Sequence, residues 1–243
     1  MTRVREFLKS FKNQSYVDQL EKIERKFEAK YNEETNTTEI TIYGVIGDSW
    51  FEESISASDI DRALKEAKGD IVIRLNSPGG DAFDGIAIYN RLKQHKGKVT
   101  IYVDGWACSA ASVIAMAADE LVMGLGAMMM IHEAWSIVWG SKTDMRKEAQ
   151  VLEELEEGII DIYMTKAKVS REEIRQMVDE ETWFSSQKAV DIGFADSVVD
   201  DRDEKINQLK AQVANLKNEL AQLKNQDQTN EPTPVKAGVR FIF

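Results

Sequence analysis

Residues 71–80 read IVIRLNSPGG, a short and almost continuous apolar run that leads directly into a proline and two glycines. A run of this kind is typical of a strand buried on both faces of a parallel sheet. Proline fixes one backbone angle, and paired glycines permit positive φ and a close approach of the backbone to a ligand. The stretch therefore predicts a buried strand followed by a turn that can aim a backbone N–H at a developing negative charge. Taken alone, SPGG is equally an ordinary strand-to-helix turn.

The segments around this stretch repeat the alternation of a strand with a helix. Further strands are expected at residues 38–47, 98–104, 120–124 and 128–131, and helices at residues 58–69 (capped by Ser58), 82–94, 109–119 and 143–168. Alternation at these intervals predicts an α/β domain of stacked βαβ units, which we place at residues 37–200. Ligands of such domains bind at the carboxyl ends of the strands, where the glycine- and serine-bearing turns fall.

A second turn, GWACSAAS at residues 105–112, carries the candidate nucleophile Ser109. Small residues here let a serine stand at a helix N-terminus, where free N–H groups and the helix dipole stabilise an oxyanion. A serine that merely caps the helix suits the same position, and a helix N-terminus can also activate a thiol such as Cys108. Adjacent helical residues point about 100° apart, so Cys108 and Ser109 cannot share one base, and the pattern does not choose between them. Ser112, one turn further on, is interpreted as a small packing residue.

The chain contains only two histidines, so a histidine base has few candidates. His95 lies in the polar segment KQHKGK and is expected to be solvated, whereas His132 ends the apolar strand of MMMIHEAW. An imidazole at that position is either a hydrogen-bonded core group or an active-site base. If the protein is a serine hydrolase with a histidine base, His132 is the expected base.

Composition and charge exclude several classes of function. The net charge of −11 argues against nucleic acid or an anionic membrane surface as the main partner. The single cysteine rules out an intrachain disulfide. We find neither an apolar secretory core nor a run as long as a membrane span, and therefore expect a cytosolic protein. Zinc-type ligand spacing and a glycine-rich nucleotide loop are also missing from the sequence, so we expect no metal and no cofactor.

The two ends of the chain differ from its middle. Residues 1–36 are predicted to form an N-terminal helical arm, because apolar residues recur at helical spacing: Val4, Phe7, Leu8, Phe11, Leu20, Ile23 and Phe27. Residues 201–226 are predicted to form a coiled-coil helix of three heptads: Ile206, Leu209, Val213, Leu216, Leu220 and Leu223. Residues 227–243 are interpreted as a flexible tail with an apolar C-terminus.

Several motifs in a fixed order resemble the Clp proteolytic subunit from Val72 to about Val199. These are the NSPGG turn, a helix ending in AIYN, a GxAxS elbow, an MIH strand, a long helix and the terminal FSSQKAVDIGFADSVV. The elbow with IAMAADELV also resembles signal-peptide peptidases of the same superfamily, but those use a lysine base, and His132 favours the histidine mechanism. The resemblance implies a ClpP/crotonase-like stacked βαβ spiral that assembles into a homo-oligomeric ring around its active sites.

The resemblance also implies residue roles. Ser109 matches the nucleophile, His132 the general base, and the N–H groups of Gly80 and Ala110 the oxyanion hole. Gly79 and Asp81 match substrate-binding positions. The third member of the triad departs from the family pattern.

The family has an aspartate where alignment from Trp183 places Glu181 in this chain. A glutamate orients an imidazole equally well if its backbone lies slightly farther away. Asp179 is the second candidate, and a solvated acidic helix end is the alternative for both.

The peptidase domain with its added heptads resembles the Clp-like head maturation proteases of tailed phages. This layout predicts an ATP-independent serine endopeptidase that cleaves scaffold or capsid protein in the host cytoplasm or the assembling prohead. Three alternatives stay open: a host-type Clp subunit working with an AAA+ unfoldase, a scaffold protein with a catalytically dead peptidase fold, and a crotonase-like acyl-CoA enzyme.

Overall fold

The computed structural model describes residues 25–47 and 54–199, together with Val213. The chain divides into two units, Met1–Val199 and Asp200–Phe243. The strands of the first unit are β1 Lys26–Asn32, β2 Thr37–Tyr43, β3 Val45–Ile46, β4 Ser54–Ile55, β5 Asp70–Ser77, β6 Val99–Cys108, β7 Glu120–Met123, β8 Met128–Ile131, β9 Thr182–Ser185 and β10 Ser197–Val198. Its helices are α1 Ala57–Glu66, α2 Ala82–Lys93, α3 Ala110–Ala115, α4 Lys142–Met164, α5 Arg171–Asp179 and α6 Ser186–Asp191.

The main sheet confirms the predicted α/β class. Its strands follow the order β1-β2-β5-β6-β7-β10, and all neighbours from β2 to β10 pair in parallel. The long strand β6 serves two partners, because its first half pairs with β7 and its second half, from Trp106 to Cys108, pairs with β8. Strand β9 then pairs with β8 in the antiparallel direction. The sheet therefore divides at β6 into two branches, one formed by β7 and β10 and the other by β8 and β9.

The core is formed where the sheet meets its helices. Ile71, Ile73 and Leu75 of β5 are fully buried, while the residues between them are partly exposed, which is the pattern of a strand with one face on the core. The prediction that this strand is buried on both faces is therefore wrong, because its other face is only partly covered. Helix α3 is buried along its whole length. Its small residues let α2 approach closely, and a β-carbon added to Gly85 would lie 2.9 Å from the β-carbon of Ala110.

The structure corrects several sequence-based boundaries. Strand β6 extends four residues beyond its predicted end, to Cys108, and helix α3 ends four residues before its predicted end, at Ala115. Helix α1 is capped by Ser56 and not by Ser58, because Ser56 forms a reciprocal capping box with Asp59. Helix α4 ends at Met164, four residues before the predicted end. Residues 26–32 of the predicted helical arm form strand β1, paired antiparallel with β2. The side chain of Asn32 starts the tight turn between these strands by accepting from the N–H groups of residues 34 and 35.

Several predictions concern residues outside the described part of the chain. These are the first 24 residues of the helical arm, the tail at 227–243 and the heptad positions other than Val213. Val213 itself is helical and half exposed. Within the described ranges, no helix is both long and apolar enough to cross a membrane.

Candidate active site

Ser109 occupies a sharp turn between β6 and α3. Its backbone lies at φ 55° and ψ −126°, a conformation that costs a non-glycine residue about 1–3 kcal/mol. Two hydrogen bonds hold the turn, one from Ser109 N–H to the Met130 carbonyl at 2.9 Å and one from Ser112 N–H to the Ser109 carbonyl at 2.9 Å. The side chain of Ser109 makes no capping bond to the helix. Its hydroxyl is therefore available for another partner.

That partner is His132, whose Nε2 lies 2.9 Å from Ser109 Oγ. Ser109 directly follows β6 and His132 directly follows β8, and these strands are parallel neighbours. Their carboxyl ends therefore share one edge of the sheet, which brings together two residues 23 positions apart. The distance is that of a nucleophile hydrogen-bonded to a general base.

Cys108, the alternative nucleophile, faces the interior. Its side chain is fully buried, and burial raises the pKa of the thiol to about 12. A thiol with this pKa stays protonated near neutral pH, and the thiolate is the nucleophilic form. The structure therefore favours Ser109 over Cys108.

His95 lies away from this edge of the sheet. Its Nε2 is 2.9 Å from the carbonyl oxygen of Gly69, the residue that precedes β5, so it is partly buried and hydrogen-bonded, where solvation was expected. Gly69 belongs to the amino end of its strand, opposite the edge that carries Ser109. His132 is thus the histidine that the fold places at the serine.

The turn after β5 packs directly on the Ser109 turn. Gly79 and Gly80 adopt positive φ values of 91° and 149°. A β-carbon on Gly79 would lie 2.5 Å from the Cys108 carbonyl oxygen and 2.6 Å from the Ser109 β-carbon. A β-carbon on Gly80 would lie 2.0 Å from the Ile46 carbonyl oxygen. Positive φ is therefore confirmed at both glycines, and both pack closely on neighbouring backbone; the close approach to a ligand stays a prediction.

Asn76, near the end of β5, links the turn after β5 to the part of β6 that leads into the Ser109 turn. Its Oδ1 accepts a hydrogen bond from Trp106 N–H at 3.0 Å, at the point where the pairing of β5 with β6 shifts register between Leu75 and Ser77. This role was not predicted from the sequence, because an asparagine in NSPGG is equally typical of the turn itself. Asp81, expected to bind substrate, uses its carboxylate to cap α2 by accepting from Asp84 N–H at 2.9 Å.

The acidic candidate Glu181 lies at the same edge of the sheet as Ser109 and His132. Strand β9 runs antiparallel to β8 with Thr182 opposite Ile131, so Glu181 and His132 each come one residue beyond that pair. Glu181 is exposed, has φ 50°, and accepts a hydrogen bond from Trp183 Nε1 at 3.3 Å. Asp179, the second candidate, is the exposed last residue of α5.

A serine hydroxyl beside an imidazole, at the carboxyl ends of adjacent parallel strands, is the arrangement of an α/β-type serine hydrolase. Comparison with known proteins narrows this class. A family model described as Clp protease matches residues 31–202, so the chain belongs to the Clp protease family.

Known relatives agree with that assignment. The chain is 29% identical over 161 residues to the ATP-dependent Clp protease proteolytic subunit 1 of Protochlamydia amoebophila, covering 63% of this chain and 78% of that protein. It is 28% identical over 162 residues to proteolytic subunit 3 of Rhodococcus jostii, covering 66% and 80%. A solved ClpP1 mutant from Listeria monocytogenes superposes with a TM-score of 0.59 at 26% identity, covering 70% of this chain and 94% of that one.

Proposed function

We propose that this protein is a serine endopeptidase in which Ser109 is the nucleophile and His132 the general base. The observation that carries the proposal is the 2.9 Å separation of Ser109 Oγ from His132 Nε2. The buried, protonated thiol of Cys108 supports the assignment to the serine. Membership of the Clp protease family supports peptide bonds as the substrate.

The proposed mechanism combines these two roles with the oxyanion hole that the Clp resemblance implies at Gly80 and Ala110. His132 Nε2 removes the hydroxyl proton while Ser109 Oγ attacks the scissile carbonyl carbon. The oxyanion of the tetrahedral intermediate accepts hydrogen bonds from the N–H groups of Gly80 and Ala110. Collapse of the tetrahedral intermediate breaks the peptide C–N bond and leaves the acyl group on Ser109, and His132 delivers its proton to the leaving amine. Water, deprotonated by His132, then hydrolyses the acyl-enzyme and regenerates the serine.

For the third catalytic position we propose Glu181. Its carboxylate would accept from the second ring nitrogen of His132 and stabilise the imidazolium that forms during attack. The register of β8 with β9 supports Glu181, because Glu181 and His132 are the two residues directly beyond the last pair of these strands. Asp179 remains the second candidate, two residues farther from that pair.

We further propose that the protein acts on protein substrates as a homo-oligomeric ring. The segment after His132 supports a contact surface, because it exposes several large apolar side chains: Trp135, Ile137, Val138 and Trp139. Trp139 is fully exposed, and contiguous apolar surface of this kind is typical of an interaction site.

Two biological roles fit such a peptidase. The added heptads at 201–226 favour a phage head maturation protease that cleaves scaffold or capsid protein without ATP. The relatives, named as ATP-dependent proteolytic subunits, favour a subunit that works with an AAA+ unfoldase. Cleavage of a folded scaffold protein by the purified protein alone supports the first role, whereas degradation only with an unfoldase and ATP supports the second.

A peptidase assay tests the proposed chemistry. Ser109→Ala and His132→Ala should each abolish cleavage of an unfolded protein substrate, while the matched control Cys108→Ala should retain most of it. Retained cleavage in Ser109→Ala, or loss only in Cys108→Ala, would contradict the assignment. A folded wild-type oligomer that cleaves no protein would favour a scaffold with a dead peptidase core.

A further inference from the structure

A chain of two buried hydroxyl groups lies behind the proposed nucleophile. Ser112 Oγ is 2.6 Å from the Ser109 carbonyl oxygen and 2.7 Å from the hydroxyl of Tyr163. Ser112 is fully buried, and Tyr163, on α4, is 2% exposed. The Tyr163 hydroxyl, the Ser112 hydroxyl and the Ser109 carbonyl therefore connect α4 to the Ser109 turn through the interior of the protein.

The direction of these hydrogen bonds is fixed by their chemistry. A carbonyl oxygen only accepts, so the Ser112 hydroxyl proton points to the Ser109 carbonyl. Ser112 has one hydroxyl proton, and the Tyr163 hydroxyl must therefore donate to Ser112 Oγ. Burial raises the pKa of Tyr163 above its ordinary value, which keeps this donor protonated.

The peptide plane explains why this chain of bonds matters. The carbonyl of Ser109 and the N–H of Ala110 belong to one planar, trans peptide unit, so they point in opposite directions. A bond that fixes the carbonyl also fixes the direction of the N–H. The Ser109 carbonyl accepts from the N–H and the hydroxyl of Ser112, at 2.9 Å and 2.6 Å, and from Val113 N–H at 3.3 Å. The Ser112 hydroxyl gives the shortest of these three bonds.

We propose that Ser112 and Tyr163 are positioning residues that hold the peptide between Ser109 and Ala110, and thereby aim the Ala110 N–H at the oxyanion. This inference rests on the proposed peptidase function. It replaces the sequence-based interpretation of Ser112 as a packing residue.

The surroundings of Tyr163 keep its hydroxyl in place. Its ring packs at 5.3 Å from the ring of Phe194, which is itself in edge contact with Phe184 at 5.6 Å. All three rings are buried. Close packing of these buried rings restricts the Tyr163 hydroxyl to one position, which a positioning residue requires.

Three variants and one control test the proposal. Tyr163→Phe, Ser112→Ala and the double variant remove one or both hydroxyls. Thr165→Val is the control, because Thr165 Oγ1 donates to the carbonyl of Ile162, three residues earlier, in the same kind of bond at 2.7 Å, but Thr165 is exposed whereas Ser112 and Tyr163 are buried. Peptidase kcat and KM, the rate of Ser109 labelling by a fluorophosphonate and the melting temperature are measured for each.

We expect Ser112→Ala and the double variant to lower kcat and the labelling rate about tenfold, with KM within about twofold, because a misaimed oxyanion donor affects the transition state and not substrate binding. Tyr163→Phe should lower them about threefold, since Ser112 keeps its own bond to the carbonyl. Ser112→Ala alone leaves the Tyr163 hydroxyl buried without an acceptor, so the double variant should recover part of its melting temperature. Thr165→Val should leave kcat unchanged.

A purely structural role predicts that activity recovers together with stability in the double variant. Wild-type kcat in that variant would therefore overturn the proposal, and so would a change confined to KM. If the wild-type protein is labelled and cleaves its substrate, the proposed peptidase function stands and the failure concerns the positioning role alone. Wild-type protein that neither labels nor cleaves would overturn both.

Discussion

Replacing Gly79 by alanine should separate the two turns on which the proposed chemistry depends. The added β-carbon would lie 2.5 Å from the Cys108 carbonyl oxygen, against 3.4 Å for the shortest ordinary contact. The two turns must therefore move apart by 3.4 − 2.5 = 0.9 Å, or the backbone must distort by a similar amount. A displacement of about 1 Å at a reacting centre costs about 10²-fold in rate.

The stability cost has two parts, and the chain offers a control that separates them. Positive φ costs an alanine about 1–2 kcal/mol, and overpacking adds about 1–3 kcal/mol. Gly126 also has a positive φ, 79°, but among the described residues an added β-carbon there meets no atom within 4 Å apart from its two chain neighbours. Gly126→Ala should therefore show only the first cost, with unchanged activity.

Urea unfolding measures the loss of stability, and peptidase kcat/KM measures the loss of activity. We expect Gly79→Ala to lose about 10²-fold in kcat/KM while still folded, and Gly126→Ala to keep wild-type kcat/KM. If folded Gly79→Ala retained kcat/KM within about threefold, the close packing of the two turns would not be needed for catalysis and the reasoning would fail.

Three other predictions concern separate parts of the molecule. Glu181→Gln should lower kcat at least about 10²-fold and Asp179→Asn less than about twofold; the reverse pattern in steady-state kinetics would assign the acid to Asp179. Gly158→Ala, in α4, puts its new β-carbon more than 4 Å from every described atom other than its chain neighbours and its own helix backbone, and should raise the free energy of unfolding by about 0.5–1 kcal/mol in urea; a lower value would show that the added methyl group meets an unfavourable contact. Native Cys108, with a pKa of about 12, should resist iodoacetamide at pH about 8 and react after unfolding, when its pKa returns to about 8.5; rapid native alkylation, followed by mass spectrometry, would show an accessible thiolate.

The sequence predicted the strands that are buried and continuous, because an apolar run carries its own signal. It also placed the serine-bearing turn at the carboxyl ends of the strands and His132 at the end of an apolar strand. Strand β1 was predicted wrongly as part of a helix, because Phe27 continued a helical spacing and pairing with β2 outweighed that local preference.

The supporting contacts of the site were not predictable from local pattern. Tyr163 lies 51 residues from Ser112, and its position on the inner side of α4 is also typical of an ordinary core residue. Asn76 contacts Trp106 30 residues away, at a register shift that only the paired strands define. Sequence patterns therefore indicated the proposed reacting groups, whereas the residues that contact and support them could be identified only from the fold.

The most direct test of the central claim is to label the purified wild-type protein with a fluorophosphonate and to locate the adduct by mass spectrometry. Such a probe reacts with an activated serine and not with an ordinary hydroxyl. We expect one adduct, on Ser109, that is lost in both Ser109→Ala and His132→Ala and kept in Cys108→Ala. A folded oligomer with no adduct, or with an adduct that persists in His132→Ala, would contradict a serine activated by His132.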